Sequence, residues 1–151
     1  MRTRIRLLMA GLLALGFTRV GSAHPTYATG QQVANCSFAT LQSDLHASGN
    51  YYYVKGQCSS PIVFPSGITI NGNTSLTVQG NDITLDGAGK VQLFYVSSSG
   101  GFGLTGLTLT NGGYSAGGAI HNAGTLTIAN STLSGNRASV DGGRFTTLVA
   151  R

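Results

Sequence analysis

Three short strand-like runs recur in the same order about 24 residues apart between Ile68 and Leu133, and this repeat constrains the fold more than any other feature. One column holds Ile83-Thr84-Leu85, Leu107-Thr108-Leu109 and Ser131-Thr132-Leu133. A second holds Leu76-Thr77-Val78, Phe102-Gly103-Leu104 and Leu126-Thr127-Ile128. The first strand of each turn reads as Ile68 and Ile70, then Phe94 and Val96, then Ala119 and Ile120. Apolar residues flanking one polar residue give the two-residue period of a strand, not the 3.6-residue period of a helix. Asp86-Gly87, Asn111-Gly112-Gly113 and Gly135-Asn136 follow the third column as turn clusters.

A turn of three short strands cannot bury its apolar faces alone, so successive turns must stack. Equivalent strands then run in the same direction and pair in parallel about 4.8 Å apart, with inward side chains forming columns along the axis. The expected fold is all-β: a right-handed parallel β-helix of about three turns with a short N-terminal cap helix, the hand following from the crossover rule. Val78, Leu104 and Ile128 are expected to stand one above another. Gly at 23 of 151 residues and charged residues at 9% suit many tight turns between uncharged strands.

Residues 1–23 read as a signal peptide. Arg2, Arg4 and Arg6 precede an apolar run from Leu7 to Phe17, and Gly21-Ser22-Ala23 supplies small residues at a cleavage site after Ala23. That run falls short of the roughly 20 residues that span a bilayer, so no stable membrane span is expected after cleavage. Cleavage also removes four basic residues, leaving five against four aspartates, and the balance falls from +5 to +1. No basic stripe remains to neutralise a row of phosphates, which argues against nucleic-acid binding. The expected location is secreted or cell surface.

Export gives the two cysteines a meaning. Cys36 and Cys58 are the only pair, and in an oxidising compartment they are expected to form a disulfide. No metal is expected, because His24, His46 and His121 sit at no ligand spacing from a cysteine or from one another. Between the cysteines, Phe38, Leu41 and Leu45 have helical spacing behind Ser37 as N-cap, with Gly49-Asn50 as the stop. Tyr51 to Val54 then reads as a strand. Residues 24–67 are expected to form the N-terminal cap and lead-in strand, 68–143 the regular turns, and 144–151 the truncated start of a further turn.

The stretch from Gly117-Gly118-Ala119-Ile120 through Ser134-Gly135-Asn136, with Gly106-Leu107-Thr108-Leu109-Thr110-Asn111-Gly112 before it, resembles the repeats of bacterial right-handed β-helix surface proteins of the polymorphic outer membrane protein type. The cysteine-containing cap ahead of Ile-Thr-Ile and Ile-Thr-Leu-Asp-Gly is similar to secreted proteins of the pectin-lyase-like superfamily. The resemblance covers roughly residues 36–143 and implies adhesion or structural display. Such proteins usually continue through many more turns, and here Gly142-Gly143-Arg144-Phe145 stands where another Gly-Gly-Ala-Ile is expected, so the chain reads as a fragment. Its last strands are then expected to leave an open edge that favours self-association.

Many proteins of this superfamily cleave polysaccharides, yet the catalytic groups are missing from the sequence. Glycoside hydrolysis needs two facing carboxylates. Asp82 and Asp86 are the only close pair, and four residues of extended strand separate them by roughly 13 Å. A lyase would need a cluster of carboxylates for calcium beside a base, whereas Lys55, Lys90, Arg137 and Arg144 are isolated. Ser97-Ser98-Ser99 has no neighbouring histidine and acid, and no glycine-rich segment ends as a phosphate loop. Catalytic residues and cofactors are therefore expected to be none. Tyr51, Tyr52 and Tyr53 are the candidate binding residues, with Tyr51 and Tyr53 on one strand face and Tyr52 on the other, at least one of the two faces being expected to pack under the cap; Tyr95 and Tyr114 are further outer-surface candidates. The functional expectation is a non-catalytic secreted or cell-surface β-helix whose partners are surface glycans or host and neighbour-cell proteins. The alternative is a carbohydrate-active enzyme, lyase or hydrolase, or an inactive fragment of one.

Overall fold

The computed structural model describes residues 29–79, 82–114, 117–139 and 147–150. Residues 1–23, expected above to be a signal peptide, lie outside them, as does the segment 140–146. Chain order begins with β1 (Gln31–Gln32), helix α1 (Phe38–His46), β2 (Gly49–Tyr53) and β3 (Ile62–Val63). The first regular turn follows as β4 (Ile68–Ile70), β5 (Asn73–Val78) and β6 (Ile83–Asp86), and the second as β7 (Phe94–Val96), β8 (Gly101–Thr105) and β9 (Leu107–Thr110). A corner strand β10 (Gly113–Tyr114) leads to the third turn: β11 (Ile120–Asn122), β12 (Thr125–Ala129) and β13 (Ser131–Ser134). The last two strands are β14 (Arg137–Ala138) and β15 (Thr147–Ala150).

These strands stack into a parallel β-solenoid of about three turns. One sheet has the order β4-β7-β11, a second β1-β2-β5-β8-β12, and a third β3-β6-β9-β13-β15, while β10 and β14 pair at a corner. Every pairing is parallel except β13 with β15, which is antiparallel. Alternation along each strand sends one set of side chains into a common shaft. Ile68, Ile70, Leu76, Leu85, Phe94, Val96, Leu104 and Leu109 are all fully buried. At about 25 cal/mol per Å² of apolar surface removed from water, such columns are the principal force holding the turns together.

At the N-terminal end, the side chain of Ser37 accepts a hydrogen bond from the Thr40 amide (3.1 Å) and starts α1. Leu41 and Leu45 face inward and are buried. The helix ends earlier than the sequence reading expects: Ala47 is already extended, and Gly49-Asn50 open β2 instead of stopping the helix. Phe38 carries the cap into the shaft, its ring edge-to-face against Phe64, with Phe94 and Phe102 continuing the series.

Register is where the expected columns need correction. The third column is as read, with Ile83 beside Leu107 and Leu85 beside Leu109, then Leu133. In the second, Leu76 rather than Val78 pairs with Leu104, which pairs in turn with Ile128, and Thr74 precedes Phe102 and Leu126. Val78 lies beside Tyr53 of β2 instead. The slip is two residues, so the same face stays inward and alternation alone cannot detect it. Its cause is unequal turn length: Leu76 and Leu104 are 28 residues apart, while Leu104 and Ile128 are 24 apart. In the first column, Ile120 pairs with Phe94 and Asn122 with Val96. Ala119 belongs to the preceding corner, where its carbonyl accepts from the Leu93 and Phe94 amides (2.9 and 3.0 Å). Adjacent Ala119 and Ile120 could not both point inward from one strand.

Candidate functional site

Turn chemistry accounts for most of the polar side chains that a catalytic reading would want. Asp82 Oδ2 accepts from the Gly56 amide at 2.5 Å. Asp86 Oδ1 accepts from the Ala88 amide (2.7 Å) and from Asn111 Nδ2 one turn above (3.1 Å). Asn136 closes the same corner on the next turn, its Oδ1 accepting from the Gly112 amide (2.7 Å) and its Nδ2 donating to the Leu109 carbonyl (3.0 Å). Asn122 Oδ1 accepts from the Gly124 amide (3.1 Å). Short side chains that bind neighbouring backbone are what a corner without helix or ladder partners requires. Among the described residues, no three His, Cys, Asp or Glu side chains gather as metal ligands would.

This corner also carries a notch of about 430 Å³ walled by Gly89, Gly112, Gly113 and Gly135, with Asn111 and Arg137 at its sides. Glycine is required at Gly112: a Cβ there would stand 2.5 Å from the Gly118 carbonyl oxygen and 2.7 Å from Ala119 Cα. Ala88 and Asn111 adopt left-handed backbone (φ 53° and 50°), which Asn tolerates better than Ala. Among the described residues lining the notch, Arg137 is the one with a charged side chain.

Cys36 and Cys58 are joined, with their Cα atoms 5.7 Å apart. The bond ties the segment just ahead of α1 to the loop after β2, so it fixes the cap rather than a reactive centre. Of the three tyrosines in β2, Tyr51 and Tyr53 are buried and Tyr52 is half-buried on the outer face. Tyr53 is a core residue whose hydroxyl reaches the Asn35 carbonyl at 3.5 Å. Burial, and then the nearby Asp44 carboxylate, push its phenol well above the usual range. Only Tyr52 of the three is presented outward for contact.

A different aromatic group stands on the outside. In β4, β7 and β11 the middle residue points outward, and register places Thr69, Tyr95 and His121 side by side. Tyr95 is 38% exposed. Its ring centroid lies 5.2 Å from that of His121, with the planes at 67°. The first column as read from the sequence sets Ile120 against Val96, and the partner of His121, Tyr95, follows once Ile120 is placed against Phe94. Tyr114 lies in β10, away from this row. An edge-to-face aromatic pair with polar tips can stack on an apolar ring and hydrogen-bond at its rim.

No protein-family model, no curated protein and no solved structure matches the chain. No helix among the described residues is long and apolar enough to cross a membrane.

Proposed function

We propose that this chain is a non-catalytic, secreted or cell-surface solenoid used for adhesion or structural display, built on right-handed β-helix turns of the polymorphic outer membrane protein type. The observation that carries the reading is the fate of the only close acid pair. Asp82 and Asp86 hold backbone amides in two separate turns instead of facing one another across a cleft. Hydrolysis through them would require freeing both and bringing them within reach of one glycosidic bond. The joined Cys36 and Cys58 support an oxidising destination. Partners of such a surface are glycans or proteins of a host or neighbouring cell. Among the described residues, β11 and β12 are the outermost strands of their sheets at the far end of the stack, and such edges favour self-association of the chain.

The test is to incubate the purified chain with pectate and with neutral glycans, with and without calcium, measuring unsaturated products and reducing ends, and to assay attachment to cells and glycan-coated surfaces in parallel. Attachment without turnover is the expected result. Robust turnover would replace this reading with a carbohydrate-active enzyme.

A further inference from the structure

We propose that Thr69, Tyr95 and His121 form a binding platform for an uncharged pyranose ring of a surface glycan; this names the contact site of the adhesion reading and rests on it. The row spans three neighbouring strands in register, hence about 10 Å along the solenoid axis. Tyr95 stands in the middle, exposed, while Phe94 and Val96 on either side of it are fully buried. Nothing in the core needs that ring outside. Thr69 supplies a hydroxyl at one end of the row and His121 an imidazole at the other, 5.2 Å from the phenol ring. Along one border run Ser97 and Ser99, whose hydroxyls lie 3.3 Å apart. Along the other is Gln92, held by the Phe94 carbonyl.

The chemistry of the row selects the ligand. A pyranose has an apolar C–H face and a rim of hydroxyls, and it fits an aromatic surface bordered by small hydroxyl and amide groups. Among the described residues, the row and its two borders are made of Thr69, Tyr95, His121, Ser97, Ser99 and Gln92, none of them a carboxylate, lysine or arginine, which disfavours a charged sugar as the preferred ligand. Three side chains also cannot supply the roughly 800 Å² per partner that a stable protein contact buries. A cross-strand aromatic pair can serve only to stiffen a sheet, so binding and stability must be read separately.

The experiment uses the whole chain with cellohexaose and chitohexaose as probes, followed by saturation-transfer-difference NMR and calorimetric titration. Tyr95→Thr places at the middle strand the residue that Thr69 already occupies one turn below, and Tyr95→Phe keeps the ring. Expected is saturable binding of at least one probe, weakened at least tenfold by Tyr95→Thr and retained by Tyr95→Phe and by Val63→Thr, an exposed position in a different sheet, with the melting temperature of each variant close to the parent's. Absence of binding to both probes by the parent chain, or binding that Tyr95→Thr leaves unchanged, overturns the platform. Surface attachment measured on the same samples separates the two ideas. Attachment with no oligosaccharide binding removes the platform and leaves adhesion standing, whereas oligosaccharide binding with no attachment does the reverse.

Discussion

Replacing Phe94 with alanine should weaken the solenoid in the middle of its shaft. Phe94 is fully buried in β7, with Ile68 below and Ile120 above it in register. Its ring meets Phe64 edge-to-face at 5.6 Å and Phe102 at 4.9 Å. Alanine removes both contacts and leaves a cavity that flanking strands, fixed by their ladders, cannot close, so the expected loss is about 3–5 kcal/mol. That is a large part of the 5–15 kcal/mol typical of a domain. Phe94→Leu keeps much of the volume and forfeits chiefly the two aromatic pairs, each worth about 0.5–1.5 kcal/mol, for a loss of about 1–3 kcal/mol. Tyr95→Ala, one residue along but on the outer face, should cost about 1 kcal/mol or less. Urea unfolding followed by far-UV circular dichroism gives all three from the midpoint shift at constant slope. If Phe94→Ala and Tyr95→Ala cost the same small amount, the inward and outward assignment of β7 is wrong and the columnar core with it.

Reduction of Cys36–Cys58, or its replacement by serines, should lower stability by about 3 kcal/mol through the 22-residue loop it closes, read as a fall in thermal midpoint with and without reductant. Gly112→Ala should destabilise the chain by more than the roughly 1 kcal/mol of an ordinary surface change, because the new methyl meets the Gly118 carbonyl; unchanged urea midpoints would show that the two turns do not approach so closely. Tyr53 gives a signed pH effect. Its folded pKa lies above the unfolded value of 10.0, so the stabilisation is complete below pH 10 and declines above it, where the unfolded chain releases a proton that the folded chain retains. Tyr53→Phe should flatten that alkaline decline, and an unaltered slope between pH 9 and 11 would contradict the burial of the phenol.

Much of this architecture was written in local patterns. Two-residue alternation in Ile83-Thr84-Leu85 and its two echoes is enough to place strands and decide which face is inward, and equal 24-residue spacing there makes the register readable as well. The cap helix was equally legible, since Phe38, Leu41 and Leu45 lie on one face behind a serine that can accept from the first-turn amides. Register in the second column was not legible. A corner that adds residues between Leu76 and Leu104 shifts pairing by two, and alternation is blind to any even slip. A different ambiguity hid the candidate platform: Ala119 and Ile120 are both apolar, and Tyr95 and His121 are neighbours only once Ile120, one residue on from Ala119, is placed over Phe94. The poverty of acids needed no structure, but the use of Asp82 and Asp86 as amide acceptors depends on contacts 26 and 2 residues away in the chain and could be expected only as turn chemistry.

The stacking of inner side chains across turns is tested most directly by methyl NOEs among residues that are far apart in sequence. Strong cross-peaks from Leu104 to both Leu76 and Ile128, with Val78 contacting Tyr53, are expected from the pairing of β2, β5, β8 and β12. Leu104 in strong contact with Val78 in place of Leu76, or with neither, would contradict it.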